Sequence, residues 1–540
     1  MPRGAWLVAA LACACGGGGA SPPGPGGAGG GDGPPIDEGQ APSVSGTNPE
    51  DGALAVDPAT EIEVLFSEPI DPFSVDASSV ALELEGETVA GTLSVEGARV
   101  RFAPERELCL AARYTLCVTT AVLDLEGWPL EREVRAGFSV KDGAWSDPAP
   151  VPWEFAMGAV AIGGEHGAAL RSSPPAPFSR LAVHRFDAAS GWAPPELRFA
   201  DDSVVHSDVA VDASGDVVVV ASRWMGGSAY ALWATTWDAD SRTWDAPQSI
   251  SDLDSAPSRP RVVFVAPRTA LVVWRRTAGP GVLANTFGGA GGWLGPTLVA
   301  AGAGTLAELA GDGAGHALAA WTSADGEELW ASSFDVATGW SPAEWIHTSL
   351  PCCASAPRLA MDPFGAALAV WVEGGAVLAK RFAGGEWSAP EPISAADGAP
   401  AESAQVGVSS SGGAIAWWGR GGALWASRFR PEEGWSAEQR FAADGAAESA
   451  RLVLDACGNA LALWVREASA GAPAKSLWSN RYAAGAGWAG AESLHAAPDL
   501  CAVAPRIAAG HGGRALAAWT TTVDCDLARG LGGFTAWFQE

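Results

Sequence analysis

The chain has 540 residues, which is too long for a single compact core, so at least two domains are expected. Its formal net charge of −29 excludes nucleic acid as a partner, because phosphates would be repelled, and disfavours docking on an anionic membrane surface. Hydrophobic residues make up 48% of the chain, and its 68 Gly and 38 Pro are typical of a turn-rich all-β protein.

The first 15 residues have the pattern of an export signal. Arg3 supplies a positive charge, and the apolar run over residues 5–12 is too short to span a bilayer. Cys13 and Cys15 follow, each after a small residue, in an arrangement that resembles the lipobox of bacterial lipoproteins, although neither has Leu three residues before it. The resemblance implies lipidation of Cys15 or Cys13 and anchoring in the bacterial outer membrane or on the cell surface. Secretion after cleavage nearby is the alternative.

Residues 16–41 are dominated by Gly, Pro and Ser. A segment with so few apolar side chains cannot bury a core and is predicted to be a flexible tether. Behind a lipidated cysteine, it would hold the folded part away from the membrane.

Residues 42–141 contain short runs of alternating polarity, such as Glu61–Phe66, bounded by Gly, Pro, Asp or Ser. This pattern predicts a β-sandwich. The unit resembles the S-layer (SbsA-like) bacterial Ig-like domain in Pro42–Val44, Asn48–Gly52, Val64–Asp71, Phe102–Pro104 and Tyr114. The resemblance implies a spacer or adhesive module. We expect Glu68 and Asp71 to cap turns rather than bind calcium.

Residues 142–540 contain a repeat marked by tryptophans. Their spacing, between 47 and 53 residues, is typical of a β-propeller with one four-stranded blade per repeat. The tryptophans of this series are Trp145, Trp192, Trp244, Trp293, Trp340, Trp387, Trp435 and Trp488.

The strand count within the repeats predicts how the propeller closes. The first three strands of the repeat recur eight times, but the fourth recurs only seven times between them. The missing copy lies upstream at Ala144–Pro148, so we predict eight blades, with this N-terminal strand completing the last blade and removing an open sheet edge. Seven blades is the alternative, because the repeat over residues 155–200 is the most degenerate.

The nine cysteines support export. Cys109 and Cys117 are predicted to bridge neighbouring strands, and Cys501 and Cys525 to close a loop in the last repeat. Cys457 is then left over. The adjacent Cys352 and Cys353 form either a vicinal disulfide or two separate thiols. Because no C-x-x-C pair or metal-binding histidine spacing occurs, no metal site and no cofactor are expected.

The repeats resemble, loosely, sialidase-like and lectin propellers in their spacing and W-x-x-P-E segments. A sialidase needs a tyrosine nucleophile paired with a glutamate, but Tyr230 has no evident partner and Tyr482 occupies a core position of the repeat. The chain is therefore predicted not to be an enzyme, with a degenerate sialidase-like glycosidase as the alternative.

Four further tryptophans occur in only some repeats: Trp233, Trp330, Trp425 and Trp478. Since ligand sites vary between blades, these are the candidate glycan-binding residues, and packing between neighbouring sheets is the alternative. The predicted function is a monomeric, non-enzymatic cell-envelope lipoprotein whose propeller binds a glycan or an envelope protein. It would touch the membrane only through its lipid anchor. A purely structural envelope component is the other possibility.

Overall fold

The structure is a computed structural model of the chain. It describes residues 41–84, 86–105, 107–151, 156–164, 166–172, 179–187, 190–252, 256–277, 279, 281–348, 355, 357–395, 399–442, 447–467, 475–484, 486–495, 500–509, 514–523, 525 and 530–539. The predicted signal, the lipidation candidates Cys13 and Cys15, almost all of the tether, and Cys352 and Cys353 lie outside these residues.

The described part of the chain is built from β-strands, with two single-turn 3-10 helices at Pro72–Ser74 and Gly289–Gly291. This confirms the predicted all-β class. No helix within it is long and apolar enough to cross a membrane.

The N-terminal unit consists of two four-stranded antiparallel sheets. Side chains from both sheets, such as Val64 and Leu116, share one buried core. Asp71 caps the 3-10 helix by accepting the N–H of Phe73 at 3.0 Å, which is the turn-capping role expected of it. The strands are β1 (Val44–Asn48), β2 (Ile62–Phe66), β3 (Val80–Leu84), β4 (Glu87–Thr88), β5 (Gly91–Glu96), β6 (Arg99–Pro104), β7 (Arg113–Val118) and β8 (Val134–Ser139). Within the two sheets the strand orders are β1-β2-β6-β5 and β4-β3-β7-β8.

The rest of the chain forms successive antiparallel units, each with three long strands and a short outer segment. β9 (Ala144–Trp145) and β10 (Ala149–Val151) come first in the chain but belong to unit 8. Unit 1 comprises β11 (Ala156–Gly163), β12 (His166–Ser172), β13 (Ser179–Asp187), β14 (Gly191–Trp192) and the start of β15 (Glu196–Val211); unit 2 comprises the end of β15, β16 (Val217–Gly226), β17 (Ala229–Asp238), β18 (Thr243–Trp244) and β19 (Gln248–Ser249). Unit 3 comprises β20 (Pro257–Ala266), β21 (Thr269–Arg276), β22 (Gly281–Gly288) and β23 (Thr297–Ala301); unit 4 comprises β24 (Ala303–Gly311), β25 (His316–Ser323), β26 (Glu328–Asp335), β27 (Gly339–Trp340) and β28 (Glu344–Thr348).

Unit 5 comprises β29 (Arg358–Met361), β30 (Ala367–Glu373), β31 (Ala376–Ala383), β32 (Glu386–Trp387) and β33 (Glu391–Pro392); unit 6 comprises β34 (Ala401–Val408), β35 (Ala414–Arg420), β36 (Ala423–Arg430), β37 (Gly434–Trp435) and β38 (Gln439–Ala442). Unit 7 comprises β39 (Ala447–Leu454), β40 (Ala460–Glu467), β41 (Lys475–Ala483), β42 (Gly487–Trp488) and β43 (Glu492–His495); unit 8 comprises β44 (Cys501–Ala509), β45 (Ala515–Thr522) and β46 (Gly530–Gln539) with β9 and β10.

The N-terminal strand pairs with the C-terminal strand as the strand count predicts. In the antiparallel register Trp145 lies opposite Phe538, and Ala149 lies opposite Thr535. Strand β46 of unit 8 therefore has a partner on both sides, β45 and the β9–β10 segment.

Tight turns join the first and second strands of the units, and the D-x-x-G pattern explains their geometry. In unit 5 one carboxylate oxygen of Asp362 accepts the N–H groups of Phe364 and Ala366, both at 2.9 Å. Gly365 has φ +83°, a left-handed conformation that suits glycine. The same two hydrogen bonds form at Asp212, Asp312 and Asp455.

The repeating tryptophans pack against the aromatic residue that ends each third strand. Ring centroids lie 5.2–5.6 Å apart in all of these pairs. Each tryptophan also contacts the preceding unit: the Nε1–H of Trp387 donates to Glu344 at 2.9 Å, and that of Trp145 donates to Ser479 at 2.9 Å. The series therefore sets the register between neighbouring units. The pairs are Phe186–Trp192, Trp237–Trp244, Phe287–Trp293, Phe334–Trp340, Phe382–Trp387, Phe429–Trp435, Tyr482–Trp488 and Phe538–Trp145.

Every neighbouring pair of units shares a buried hydrophobic cluster. The last and first units are no exception, since Leu516 packs with Phe186 and Ala518 packs with Ala169. The many alanines on the second strands allow the sheets to approach closely.

Two disulfides are present in the described residues, and one differs from the sequence prediction. Cys501 bonds to Cys525, but Cys109 bonds to Cys457 across 348 residues rather than to Cys117. Cys117 lies buried in β7, while Cys109 lies in the loop before this strand, next to unit 7. The predicted Cys109–Cys117 bridge is therefore wrong, because docking of the N-terminal unit brings the Cα atoms of Cys109 and Cys457 to 6.3 Å, within reach of a disulfide.

The same loop inserts a leucine between the N-terminal unit and the repeats. The Leu110 side chain is 1% exposed and packs with Leu461, Ala515 and Phe538. The main-chain carbonyl of Leu110 accepts hydrogen bonds from the side chains of Asn459 and Arg481, both at 3.0 Å. The two parts of the chain are thus joined by a buried contact as well as by the disulfide.

Candidate functional site

The four tryptophans predicted to bind ligand occupy equivalent places in the third strands of their units. Trp233, Trp330, Trp425 and Trp478 are all half-buried, and each packs against a cluster shared by two units. Trp330 lies on the same face as Phe334, as strand alternation predicts.

Charged neighbours surround the outer parts of these rings. The guanidinium of Arg420 lies 4.2 Å from the ring centroid of Trp425, and Arg420 also pairs with the largely buried carboxylate of Glu438. Arg223 covers Trp233 in the same way at 4.6 Å. A cation over the ring stabilises this packing by cation–π attraction and occupies the face on which a sugar would stack. Ligand binding by these four tryptophans remains a prediction.

Aromatic clefts occur at a different place, near the ends of the third strands and between neighbouring units. The unit 6–7 cleft has a volume of about 310 Å³. Its walls are Trp435 from the outer segment of unit 6 and the Tyr482–Trp488 pair of unit 7. The cleft forms where the third strand and outer segment of unit 6 face the Tyr482–Trp488 pair of unit 7.

Polar groups line the rim of the unit 6–7 cleft. Arg430 contacts Glu433 at 3.0 Å, and the Arg428 guanidinium lies 5.5 Å from the ring centroid of Tyr482. Gln439 is exposed at the rim. The buried indole Nε1–H of Trp435 has no hydrogen-bond acceptor among the described residues. The cleft thus combines aromatic surfaces with donors and acceptors that a polar ligand can use.

A second cleft occupies the equivalent position between units 4 and 5, with a volume of about 450 Å³. Trp340 and Phe382 take the places of Trp435 and Tyr482. His316 lies at the rim, between Asp312 at 2.6 Å and Asp335 at 3.4 Å. The recurrence of the cleft follows from the repeat, whereas its rim residues differ between units.

The residues considered for glycoside hydrolysis are engaged in structural contacts. Tyr482 is buried against Trp488, and Tyr230 lies opposite Trp224 near the start of its strand. Two glutamates that each lie four residues after a repeating tryptophan, Glu196 and Glu344, also pair locally: Glu196 with Arg185 at 2.8 Å, and Glu344 with Trp387.

One acidic cluster forms in the N-terminal unit. Carboxylate oxygens of Glu68, Asp124 and Glu126 lie within 4.8 Å of one another. One oxygen of Asp124 already accepts the N–H groups of Glu126 and Trp128, so this carboxylate shapes its own turn. Glu68, expected from the sequence to cap a turn, is the third member of this cluster.

Comparison with known proteins adds one family assignment. Residues 38–140 match the family described as a bacterial Ig-like domain. The match confirms the predicted Ig-like unit, whose S-layer (SbsA-like) subtype remains a prediction. No curated protein matches the chain in sequence.

Several solved structures resemble the chain in fold. The β-propeller domain of the trilobed protease from Pyrococcus furiosus aligns with a TM-score of 0.39 and 9% identity, covering 63% of this chain and 96% of that one. The six-bladed fucose-binding lectin of Aleuria aurantia gives 0.31 and 14%, covering 53% and 95%. A protein of unknown function from Dyadobacter fermentans gives 0.37 and 11%, covering 73% and 98%. At these scores and identities, the resemblance carries no statement about ligand or reaction.

Proposed function

We propose that this protein is a monomeric, non-enzymatic glycan-binding protein of the bacterial cell envelope, held by a lipid on Cys15 or Cys13. The Ig-like unit acts as a spacer, and the repeats present the binding sites. The observation that carries the proposal is the aromatic cleft between neighbouring units, found at equivalent positions between units 6 and 7 and between units 4 and 5.

The repeats form, in this proposal, a closed propeller of eight blades. Three observations support closure: strand β46 pairs with the N-terminal β9–β10 segment, units 8 and 1 share buried side chains, and the Arg506 Nε–H donates to the Gly158 carbonyl across this junction at 3.0 Å. A ring of this kind holds each cleft between two rigid sheets, which favours a preformed site.

The chemistry of the clefts suits a sugar. Aromatic faces pack against the C–H faces of a pyranose ring, and charged or amide groups at the rim bond its hydroxyls. In the unit 6–7 cleft, Trp435 and Trp488 would provide the apolar surface, and Arg430, Glu433 and Gln439 would provide the polar contacts.

A glycan array probed with the purified 42–540 fragment tests this function, followed by calorimetry with the best monosaccharide or disaccharide. Glu433→Ala and Gln439→Ala are expected to weaken binding by up to about ten-fold each, because a lost hydrogen bond to a ligand costs about 1.4 kcal/mol or less. Glu432→Ala is the matched control, since Glu432 is an exposed neighbour that does not line the cleft. An array with no binding, or equal losses in the control, would contradict the proposal.

Two further measurements address the remaining parts of the proposal. Hydrolysis of fluorogenic glycosides that is lost on replacing one acidic residue would show that the protein is an enzyme. Palmitate labelling in cells is expected to disappear only when Cys13 and Cys15 are both replaced by Ala, and an unlabelled wild-type protein would rule out the lipid anchor.

A further inference from the structure

The first strands of successive units contact one another all the way round, including β44 of unit 8 with β11 of unit 1. In each of units 2 to 8, the first strand carries one side chain at the same register position. We call this set of seven side chains the inner ring. Its members, with the second-strand residues opposite them, are Asp208 (Val220), Arg261 (Val273), Glu308 (Ala320), Arg358 (Val370), Gln405 (Trp417), Arg451 (Leu463) and Arg506 (Ala518).

One half of the inner ring is balanced in charge. Glu308 accepts from Arg261 at 3.1 Å and from Arg358 at 2.9 Å, which are the ring members of the units on either side. Asp208 accepts the Val262 N–H at 3.1 Å and lies near the charge of Arg261, although burial raises its pKa to about 6. Two carboxylates therefore face two guanidinium groups on this side.

The other half carries positive charge without a described counter-ion. Arg451 and Arg506 are half-buried, and within the described residues they donate only to main-chain carbonyls: Arg451 to Ala450 at 2.8 Å, and Arg506 to Gly158 at 3.0 Å and Pro505 at 3.0 Å. No described carboxylate lies within ion-pair distance of either guanidinium. Two confined like charges destabilise each other unless an anion joins them.

The environment of Arg451 is consistent with this repulsion. Burial, together with the charges of Arg506 and Arg358, lowers the pKa of Arg451 to about 10. The cluster is also unusual for this chain, because the formal net charge is −29 and the surface as a whole repels anions.

We propose that Arg451 and Arg506, with Gln405 beside them in the inner ring, form a binding site for an oxyanion group such as a carboxylate, phosphate or sulfate. A guanidinium presents a planar fork of N–H donors that matches two oxygens of such a group, and the Gln405 amide supplies a further donor. The site is distinct from the clefts, because none of its three residues lines either cleft, so either site can exist without the other.

Arg451→Gln is the preferred variant. Arg506 donates across the junction between units 8 and 1, so its loss would also weaken that junction. Among the described residues, Arg451 donates only to the carbonyl of its chain neighbour Ala450. Arg113→Gln is the matched control, because Arg113 is exposed in the Ig-like unit and is not a member of the inner ring.

The test is direct binding of inorganic phosphate, sulfate, acetate and glucuronate to the 42–540 fragment, at constant ionic strength in chloride, by calorimetry and by thermal shift. Wild type and Arg113→Gln are expected to bind at least one of these anions and to unfold at a higher temperature in its presence. Arg451→Gln is expected to weaken binding at least ten-fold while raising the unfolding temperature of the anion-free protein, because the repulsion is relieved. A purely structural arginine would lower that temperature instead.

The pattern of preference identifies the ligand group. Tighter binding of acetate and glucuronate indicates a carboxylate, and tighter binding of phosphate or sulfate indicates a tetrahedral oxyanion. If Arg451→Gln does not fold, Arg451→Lys keeps the charge but loses the fork, and an intermediate loss of affinity is expected. The proposal is overturned if wild type binds none of the four anions, or if the Arg451 variants bind them as tightly as wild type.

Discussion

Leu110 offers a direct test of how the Ig-like unit docks on the repeats. Leu110→Ala removes three carbon atoms from a side chain that is 1% exposed between Leu461, Ala515 and Phe538. Transfer of those carbons contributes about 2.4 kcal/mol, and the cavity left behind brings the expected cost to about 3 kcal/mol. The carbonyl of residue 110 keeps its hydrogen bonds from Asn459 and Arg481, so the variant isolates the apolar contribution.

Hydrogen–deuterium exchange followed by mass spectrometry measures this loss of stability at individual strands. Amides of β40, which carries Leu461, are expected to exchange about a hundred-fold faster in Leu110→Ala, because 1.36 kcal/mol corresponds to a factor of ten. Leu54→Ala is the control, since Leu54 lies in the same unit but is 80% exposed, and it should leave exchange unchanged. If both variants exchange alike, Leu110 does not hold the two parts together.

Three further predictions concern the ring and the interface. Trp145→Ala removes the packing on Phe538 and the hydrogen bond to Ser479, so it should destabilise unit 8 by about 3–5 kcal/mol and speed hydrogen exchange in β46. Trp128→Ala, at an exposed site, should do neither, and equal changes in every unit would contradict this prediction. Non-reducing peptide mapping should recover Cys109 linked to Cys457, including in a Cys117→Ser variant, and a Cys109–Cys117 peptide would refute the pairing. Burial raises the pKa of Asp455 from 3.8 to about 6, so its contribution to the free energy of unfolding is present below pH 3.8 and is lost as the pH rises through about 6. Asp455→Asn should abolish this part of the pH dependence when urea unfolding is compared at pH 4 and 7.5. An unchanged dependence would show that another group is responsible.

The sequence predicts much of the fold because the repeat is periodic. Trp387 and its counterparts mark the same contact in every unit, and Asp362 with Gly365 marks the same turn, so local patterns add up to an architecture. The pairing of Ala144–Trp145 with the last strand could be predicted because one strand was missing from the count.

Features that depend on docking could not be predicted in this way. The Cys109–Cys457 pairing joins two units that share no periodic pattern, and sequence proximity favoured Cys117 instead. The clefts were missed because the repeating tryptophans indicated only register, although Trp435 also forms a wall of the unit 6–7 cleft.

The inner ring was missed for a different reason. Arg451 and Arg506 lie 55 residues apart and look like unrelated surface charges when the chain is read from end to end. A comparison of the same register position in all of the aligned repeats would have shown that the two arginines are equivalent residues of neighbouring units. The informative signal is therefore the variation between repeats at a fixed position, in the inner strands as much as in the third strands.

The pairing of β9 and β10 with β46 has a consequence for how the chain acquires its shape. The two partners lie at opposite ends of the repeats, so unit 8 can be completed only after the last strand of the repeats has been synthesised, long after β9 and β10. Until then, one long strand keeps a bare edge on which another chain can add, and contacts this distant in sequence form slowly. While it folds, the protein therefore passes through a period in which it needs protection from its own copies.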